Sequence, residues 1–191
     1  MKLIFASHNE HKAKEIQSLL PSGIELLTLA DLQLTEEIPE TAETLEENAL
    51  LKASYVHERF EMNCFADDTG LEVHALNGAP GVFSARYAGN DKDSEANMAL
   101  LLKNLSNATD RRARFRTSIA LIWNGKQHFF DGVVNGQIAK VRAGSDGFGY
   151  DPIFIPENST RTYAEMTLSE KSNQSHRARA LEKMIVFLNR N

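Results

Sequence analysis

The chain begins with a signal for a strand that passes through a polar turn into a helix: Leu3-Ile4-Phe5-Ala6-Ser7-His8-Asn9-Glu10-His11-Lys12. The four apolar residues predict a short buried strand. Ala13, Ile16 and Leu20 then recur at helical spacing, and Pro21 ends that helix. A strand followed at once by a helix is typical of α/β proteins, whose elements pack in layers around a shared core.

The rest of the sequence first continues this alternation and then changes it. A second helix begins at a capping box, in which Thr44 and Glu47 can satisfy each other's backbone N–H groups. Asn124-Gly125 separates two apolar runs and predicts a long hairpin, because both residues accept a positive φ. Further strands are predicted over 24–29, 64–66 and 153–155, further helices over about 93–105 and from 175 onward, and loops over 30–43, 77–89 and 144–151. The pattern predicts one α/β domain, 1–191, with a mixed, twisted sheet flanked by helices.

The composition excludes several classes of protein. The chain has 191 residues, a formal net charge of −5 and one cysteine, Cys64, so no intrachain disulfide or cysteine-rich zinc site can form. A net-acidic domain is a poor candidate for nucleic-acid binding. The alternating run Arg111–Arg116 predicts the solvated face of a strand, with an anion-binding role as the alternative. No apolar stretch approaches the roughly 18 residues of a membrane helix, and no signal peptide is recognised. We therefore expect a cytoplasmic protein with no membrane or nucleic-acid partner.

A candidate phosphate site lies at the turn between the first strand and the first helix. The first N–H groups of a helix have no partners within it, and the helix dipole adds positive potential, so this position suits phosphate. Ser7 and Asn9 can donate hydrogen bonds there, and Lys12 adds a full charge one turn later. The alternative interpretation is an ordinary helix cap followed by a solvated lysine.

Acidic residues are concentrated in two places that could hold a metal. Asp67 and Asp68 are predicted to end the third strand, in a turn completed by Thr69-Gly70. Adjacent carboxylates on a strand point to opposite faces, so one can face a site while the other holds a loop. Glu40 lies in the aperiodic acidic loop. Mg²⁺ prefers such hard oxygen ligands, although Asp, Thr and Gly are equally at home in a plain turn and most loop carboxylates are solvated.

Two further groups could bind a nucleotide base. The run Gly147-Phe148-Gly149-Tyr150-Asp151 places two aromatic rings beside glycines, which suits base stacking; a glycine-bulged strand with core aromatics is the alternative. Lys171 and the pair His176-Arg177 form a cationic cluster, and the pair stands at a helix start, where positive charge opposes the helix dipole. A residue pair that breaks a local rule in this way indicates an anion- or carbonyl-binding role.

Six motifs in this order resemble the inosine triphosphate pyrophosphatase family over nearly the whole chain. They are Ser7-x-Asn9-x-x-Lys12-x-x-Glu15, Glu46-Glu47-Asn48-Ala49-x-x-Lys52-Ala53, Ala66-Asp67-Asp68-Thr69-Gly70-Leu71, Gly78-Ala79-Pro80-Gly81-x-x-Ser84-Ala85-Arg86-Tyr87, Phe148-Gly149-Tyr150-Asp151-Pro152 and Ser175-His176-Arg177. Each motif alone is a weak signal, whereas six in one order are highly specific.

The resemblance implies a fold, a reaction and a partner. The fold is an elongated α/β protein with a long mixed sheet, and two lobes with a central cleft that brings the phosphate and base segments together. The reaction is Mg²⁺-assisted attack of water on a non-standard purine nucleoside triphosphate (ITP, dITP or XTP). It yields the monophosphate and pyrophosphate, and it removes these nucleotides from the pool. The resemblance also implies a homodimer.

Roles for single residues follow from the same resemblance. Asp68 is the catalytic carboxylate and a metal ligand, and Glu40 is the second metal ligand, with Glu37 and Glu43 as alternatives in the same loop. Thr69, where many relatives have serine, contacts the substrate. The other substrate-binding residues come from the phosphate segment, the base segment and the cationic cluster: Ser7, His8, Asn9, Lys12, Phe148, Gly149, Tyr150, Asp151, Lys171, His176 and Arg177.

Two functions of other classes stay open beside this one. A nucleotide-binding sensor without turnover would need the phosphate and base segments but not Asp68. A Mg²⁺-dependent phosphatase of small phosphoesters would have no use for the base segment. The product distinguishes the three hypotheses, because the first releases pyrophosphate, the phosphatase releases orthophosphate and the sensor releases nothing.

Overall fold

A computed structural model describes residues 1–190 and shows an α/β protein. Its strands are β1 (Lys2–Phe5), β2 (Glu25–Thr28), β3 (Cys64–Val73), β4 (Pro80–Gly81), β5 (Arg112–Trp123), β6 (Lys126–Ile138) and β7 (Phe154–Pro156). Its helices are α1 (Glu10–Leu19), α2 (Leu45–Phe60), α3 (Ser94–Asn104), α4 (Leu168–Ser172) and α5 (His176–Leu188). Within residues 1–190, every helix is too short or too polar to cross a membrane.

The strands of the described chain form a mixed sheet, as predicted. Their order is β2-β1-β3-β5-β6-β7, with β4 paired to β3. β1 is parallel to β2 and to β3, and the register places Phe5 opposite Thr28 on one side and Phe65 on the other. β4 runs antiparallel to β3, and β7 runs antiparallel to β6. The elongated shape and the central cleft stay predictions.

Contacts within the chain group its residues into two units. The first unit contains 1–68, 117–132 and the residues from 177 onward, and the second contains 69–116 and 133–176. β3 and β5 therefore contribute residues to both units. Whether 1–191 behaves as a single domain stays a prediction.

In the first unit, alternate residues of β3 pack against different helices. Phe65 packs in a cluster with side chains of α1 and α5, whereas Cys64 and Ala66 pack with side chains of α2. Because successive side chains of a strand point to opposite faces, Asp67 continues the face of Phe65 and Asp68 continues the face of Ala66. This alternation gives the two neighbouring carboxylates different surroundings.

The second unit has its own apolar core. Leu71 and Val73, in the second half of β3, pack there with residues of α3, β5 and β7 and with a group of aromatic rings. The rings of Phe115 and Phe154 meet edge to face, with centroids 4.7 Å apart. Arg112 and Arg114 of β5 are exposed while Ala113 and Phe115 between and after them are buried, which confirms the predicted solvated strand face at these two arginines. Arg111 instead precedes β5, is half-buried and donates to backbone carbonyl oxygens.

The predicted hairpin is confirmed, and two other elements differ from expectation. Asn124 and Gly125 have φ values of 49° and 74° between β5 and β6. β3 does not end in a turn after Ala66 but continues to Val73, because Asp67 and Asp68 are buried among cations that offset their preference for turns. α4 is a helix that the sequence patterns did not predict; it has five residues and is stabilised by a capping box between Thr167 and Glu170.

Candidate functional site

The turn between β1 and α1 is built by side-chain caps. Asn9 Oδ1 accepts a hydrogen bond from the backbone N–H of Lys12 at 3.1 Å, and Ser7 Oγ accepts one from the N–H of Asn9 at 3.2 Å. His8 Nε2 lies 2.8 Å from the carbonyl oxygen of Glu36 in the acidic loop. Asn9 therefore caps α1, and the positive end of the α1 dipole lies at this turn; phosphate binding here stays a prediction.

Lys12 is not the solvated lysine of the alternative interpretation. Its ammonium group lies 3.0 Å from Asp67 Oδ1, and its side chain is only 13% exposed. Burial lowers the pKa of Lys12, and the charge of Asp67 opposes that shift. The structure thus holds a desolvated positive charge one turn into α1.

Asp67 is the centre of a buried charge network. Its other oxygen, Oδ2, accepts a hydrogen bond from Arg177 Nε at 3.1 Å, and Arg177 also donates to Glu15 through Nη1. Burial alone would raise the pKa of Asp67, but Lys12 and Arg177 together lower it well below its usual range. The pKa of Arg177 is raised because Asp67 and Glu15 outweigh the effect of its burial. Asp67 therefore stays ionised and holds two cations in place.

Asp68 has a different partner on the opposite face of β3. Its Oδ1 lies 3.7 Å from the ammonium nitrogen of Lys52, and the same nitrogen lies 2.5 Å from Glu40 Oε1. Burial raises the pKa of Asp68, although Lys52 opposes the shift. The pKa of Lys52 is itself raised, because Asp68 and Glu40 outweigh the effect of burial. A single cation on α2 therefore brings the two carboxylates that the resemblance assigns to metal into one place.

The donor set around Lys52 fits a hard divalent cation. Within residues 1–190, no group of three or more His, Cys, Asp or Glu side chains could hold a metal ion. Mg²⁺ does not need one, because it keeps several waters and is commonly held by one or two carboxylates and the phosphates of a substrate. Asp68 and Glu40 supply the two carboxylates, and the ammonium of Lys52 already occupies a position of strongly negative potential between them.

The base segment forms a tight turn in the second unit. Gly147 and Gly149 have φ values of 78° and 63°, a region that glycine adopts without strain. Asp151 Oδ2 accepts hydrogen bonds from the backbone N–H of Phe148 at 2.8 Å and from Lys171 Nζ at 2.6 Å. The ammonium of Lys171 also lies 4.6 Å from the centre of the Phe148 ring. Asp151, Phe148 and Lys171 therefore form one compact group, which joins the base segment to one member of the cationic cluster; base binding there stays a prediction.

The predicted platform of two aromatic rings is wrong for Tyr150. Its side chain is 5% exposed within the core of the second unit, and its hydroxyl donates to the carbonyl oxygen of Ser84 at 2.8 Å. Burial raises the pKa of this hydroxyl. The alternative interpretation, core aromatics beside glycines, therefore holds for Tyr150, and only its backbone is left to meet a ligand.

The members of the cationic cluster have separate partners. His176 is buried and stacks on the ring of Phe115, with centroids 4.7 Å apart. Lys171 is bound to Asp151, and Arg177 to Asp67 and Glu15. The unfavourable position of a cation at a helix start is thus offset for Arg177 by two carboxylates. Direct contact of Arg177 with a base stays a prediction, as do the roles of Thr69, half-buried in β3, and of the other site residues.

Lys52 and Glu15 were given no role from the sequence. Both are charged residues at buried positions of helices: Lys52 lies between the buried residues Ala49 and Ala53 of α2, and Glu15 precedes Ile16 of α1. A charged side chain within an apolar stripe is the signal that could have identified them, since such groups are almost never buried unless they are paired.

Comparisons with known proteins show which family the chain resembles over its length. Residues 3–187 match the Ham1 family. A dITP/XTP pyrophosphatase of Christiangramia forsetii is 52% identical over 190 residues, covering 100% of both chains, and one of Porphyromonas gingivalis is 52% identical, covering 98% of this chain and 97% of its own. Among solved structures, a HAM1 protein from Coxiella burnetii superposes with a TM-score of 0.91 at 37% identity, covering 100% of both chains. A nucleoside-triphosphatase/dITP/XTP pyrophosphatase from Mycobacterium abscessus has a TM-score of 0.77 at 45% identity, covering 96% of this chain and 98% of that one.

Proposed function

Since the chain belongs to the Ham1 family, we propose that it is a dITP/XTP pyrophosphatase that hydrolyses ITP, dITP and XTP to the monophosphate and pyrophosphate. The observation that carries the proposal is the position of Asp68 and Glu40 on one buried cation, Lys52, in the unit that also holds the β1–α1 turn. Paired carboxylates, lysines and a helix N-terminus are the groups that a metal-bound triphosphate requires.

Asp68 is the general base of the proposed reaction. Water attacks the phosphorus next to the ribose, the bond to the second phosphate breaks, pyrophosphate leaves and the proton of the water passes to the Asp68 carboxylate. A positioned general base typically contributes about 10²–10⁴-fold to the rate. Asp68 and Glu40 would hold Mg²⁺, and the bound ion would neutralise charge on the triphosphate and help to orient it. Lys12 and Lys52 bind phosphate oxygens.

Base recognition in this proposal rests on Phe148, Lys171 and His176. Hypoxanthine and xanthine carry a carbonyl acceptor at position 6 and a donor N1–H, whereas adenine carries the reverse pattern. Lys171 and His176 can donate to the carbonyl, and the Phe148 ring offers a surface for stacking. A site built for one pattern leaves buried groups unpaired with the other, which costs orders of magnitude in kcat/KM.

A substrate panel tests the function and its alternatives. We expect ITP, dITP and XTP to release pyrophosphate in the presence of Mg²⁺, with kcat/KM at least about 10²-fold above that for ATP. Orthophosphate as the product would support the small-phosphoester phosphatase instead. Binding of ITP without any product would support the sensor, and equal use of ATP and ITP would refute the base-reading role.

The homodimer is part of the proposal as well. It is checked by light scattering coupled to size-exclusion chromatography, where a mass near twice the 21.3 kDa of the chain is expected. A mass equal to that of one chain at all concentrations would refute it.

A further inference from the structure

A polar stripe on α2 faces the acidic loop that carries Glu40. The stripe consists of Asn48, Lys52, Tyr55 and Arg59, and each of these side chains binds a group in residues 36–42. Their spacing of four, three and four residues places them on one side of the helix. The loop has no helix or strand of its own, so these contacts hold it in one conformation.

Asn48 makes the most specific contact of the stripe. Its Oδ1 accepts a hydrogen bond from the backbone N–H of Ala42 at 2.9 Å, and its Nδ2 donates to the carbonyl oxygen of the same residue at 3.3 Å. The side chain is 1% exposed. Both backbone groups of Ala42 are thus bound by one buried amide, two residues beyond Glu40.

The contacts of the stripe differ in how they respond to a ligand. Lys52 binds the carboxylate of Glu40 itself, so any cation or phosphate that engages Glu40 or Lys52 competes with that contact. Tyr55 and Arg59 bind the Glu36 carboxylate, which is exposed, at 2.8 Å each. Asn48 binds only backbone and is buried. The Asn48 contact is therefore compatible with a change of partner at Glu40.

We propose that Asn48 is a positioning residue that fixes the backbone beside Glu40, so that this carboxylate is held ready for a divalent cation before the cation binds. The inference rests on the proposed function, in which Glu40 is a metal ligand. Residues that orient metal ligands through hydrogen bonds affect metal affinity by about 10–100-fold when they are removed.

The first test is hydrogen exchange of the metal-free protein. In the wild type, the amide of Ala42 should exchange at least about 10-fold more slowly than an unstructured amide, because it donates a hydrogen bond to the buried side chain of Asn48. Rapid exchange of this amide in the wild type would overturn the proposal without the use of any variant. In Asn48→Ala the amide should lose its protection.

The second test is the affinity for Mn²⁺, measured by electron paramagnetic resonance of the free ion. The protein is saturated with an α,β-methylene analogue of dITP, which cannot be cleaved. We expect Asn48→Ala to weaken Mn²⁺ binding about 10-fold. Asn48→Ser, which keeps a small polar group, should give a smaller loss and replaces the alanine variant if that variant does not fold.

Asn97 provides a matched control in the second unit. This buried asparagine binds the backbone of a loop in the same way, with Oδ1 accepting from Ala88 N–H at 2.6 Å and Nδ2 donating to the carbonyl oxygen of Ala85 at 2.9 Å. Asn97→Ala should deprotect Ala88 and leave the Mn²⁺ affinity unchanged. Equal losses of affinity in both variants would show a general effect of lost stability and overturn the specific role of Asn48.

Glu40→Gln separates this inference from the proposed function. If Glu40→Gln weakens Mn²⁺ binding while a folded Asn48→Ala variant binds Mn²⁺ as the wild type does, the positioning role of Asn48 is wrong and the metal site stands. If Glu40→Gln leaves the affinity unchanged, Glu40 is not a ligand and the proposed metal site itself fails.

Discussion

Replacement of Arg177 by methionine tests the buried charge network of the first unit. Methionine preserves most of the volume of the side chain and removes its charge and donors. The guanidinium is 1% exposed and binds both Asp67 and Glu15, which are themselves buried. In the variant, Glu15 loses its ion pair with Arg177. Asp67 loses Arg177 as well but keeps its ion pair with Lys12.

The expected loss of stability follows from this arrangement. Removal of one partner from a buried ion pair costs about 3–5 kcal/mol, because the remaining charge is neither solvated nor compensated. Arg177 and Lys12 hold the pKa of Asp67 below its usual value of about 3.9. In the wild type, the contribution of the ionised Asp67 carboxylate to the unfolding free energy is therefore fully present above a pH of about 3.9. It is lost as the pH falls through the lower pKa of the folded state. Without Arg177 that pKa rises, and the carboxylate can take up a proton in mildly acidic solution. The difference in unfolding free energy between the variant and the wild type should therefore become smaller as the pH falls from 7 towards 4.

The assay is urea unfolding of the metal-free protein at both pH values. We expect Arg177→Met to lose about 3–5 kcal/mol of unfolding free energy at pH 7 and less at pH 4. Glu15→Gln in the same background should restore part of the loss, because it removes a buried negative charge that Arg177 no longer offsets. A loss under about 1 kcal/mol at pH 7, typical of an exposed ion pair, would refute the reasoning. The reasoning would also be refuted if the loss of unfolding free energy in the Arg177→Met/Glu15→Gln double variant equalled the sum of the two single losses.

Three further changes test the site and the strand that carries it. Asp68→Asn should keep the circular dichroism of the wild type and lower kcat at least about 10²-fold, because an amide cannot accept the proton of water. Turnover near that of the wild type would show that another residue is the general base. Lys12→Ala should raise the KM for ITP more than the inhibition constant of inosine, since it removes a charge that binds phosphate and not the base. An equal increase in both constants would contradict this role. Gly70→Ala should cost about 1–3 kcal/mol in urea unfolding, because its Cβ would lie 2.8 Å from the carbonyl oxygen of Gly81 on the neighbouring strand. An unchanged unfolding free energy of the Gly70→Ala variant would show that β4 can move away from β3.

Local signals predicted the helices and the hairpin well, because they act through neighbours in the chain. Asn9 caps α1, Thr44 caps α2 through the Glu47 N–H, and Asn124-Gly125 turns the hairpin. The opposite orientation of Asp67 and Asp68 was also predictable, since it follows from the alternation of side chains along any strand. The same local reasoning was wrong for the turn after Ala66 and for the ring of Tyr150, because both depend on burial.

The sequence by itself determined where most elements begin and which segments carry charged and aromatic groups, because caps, turn residues and apolar periods act over a few residues. Only the tertiary structure decided which charges meet. Arg177 reaches Asp67 across 110 residues and Glu15 across 162, and Lys52 on α2 joins Asp68 on β3 to Glu40 in a loop. The physical reason is that a charge removed from water must find an opposite charge or lose several kcal/mol, and the fold rather than the neighbouring sequence determines which partner lies within reach.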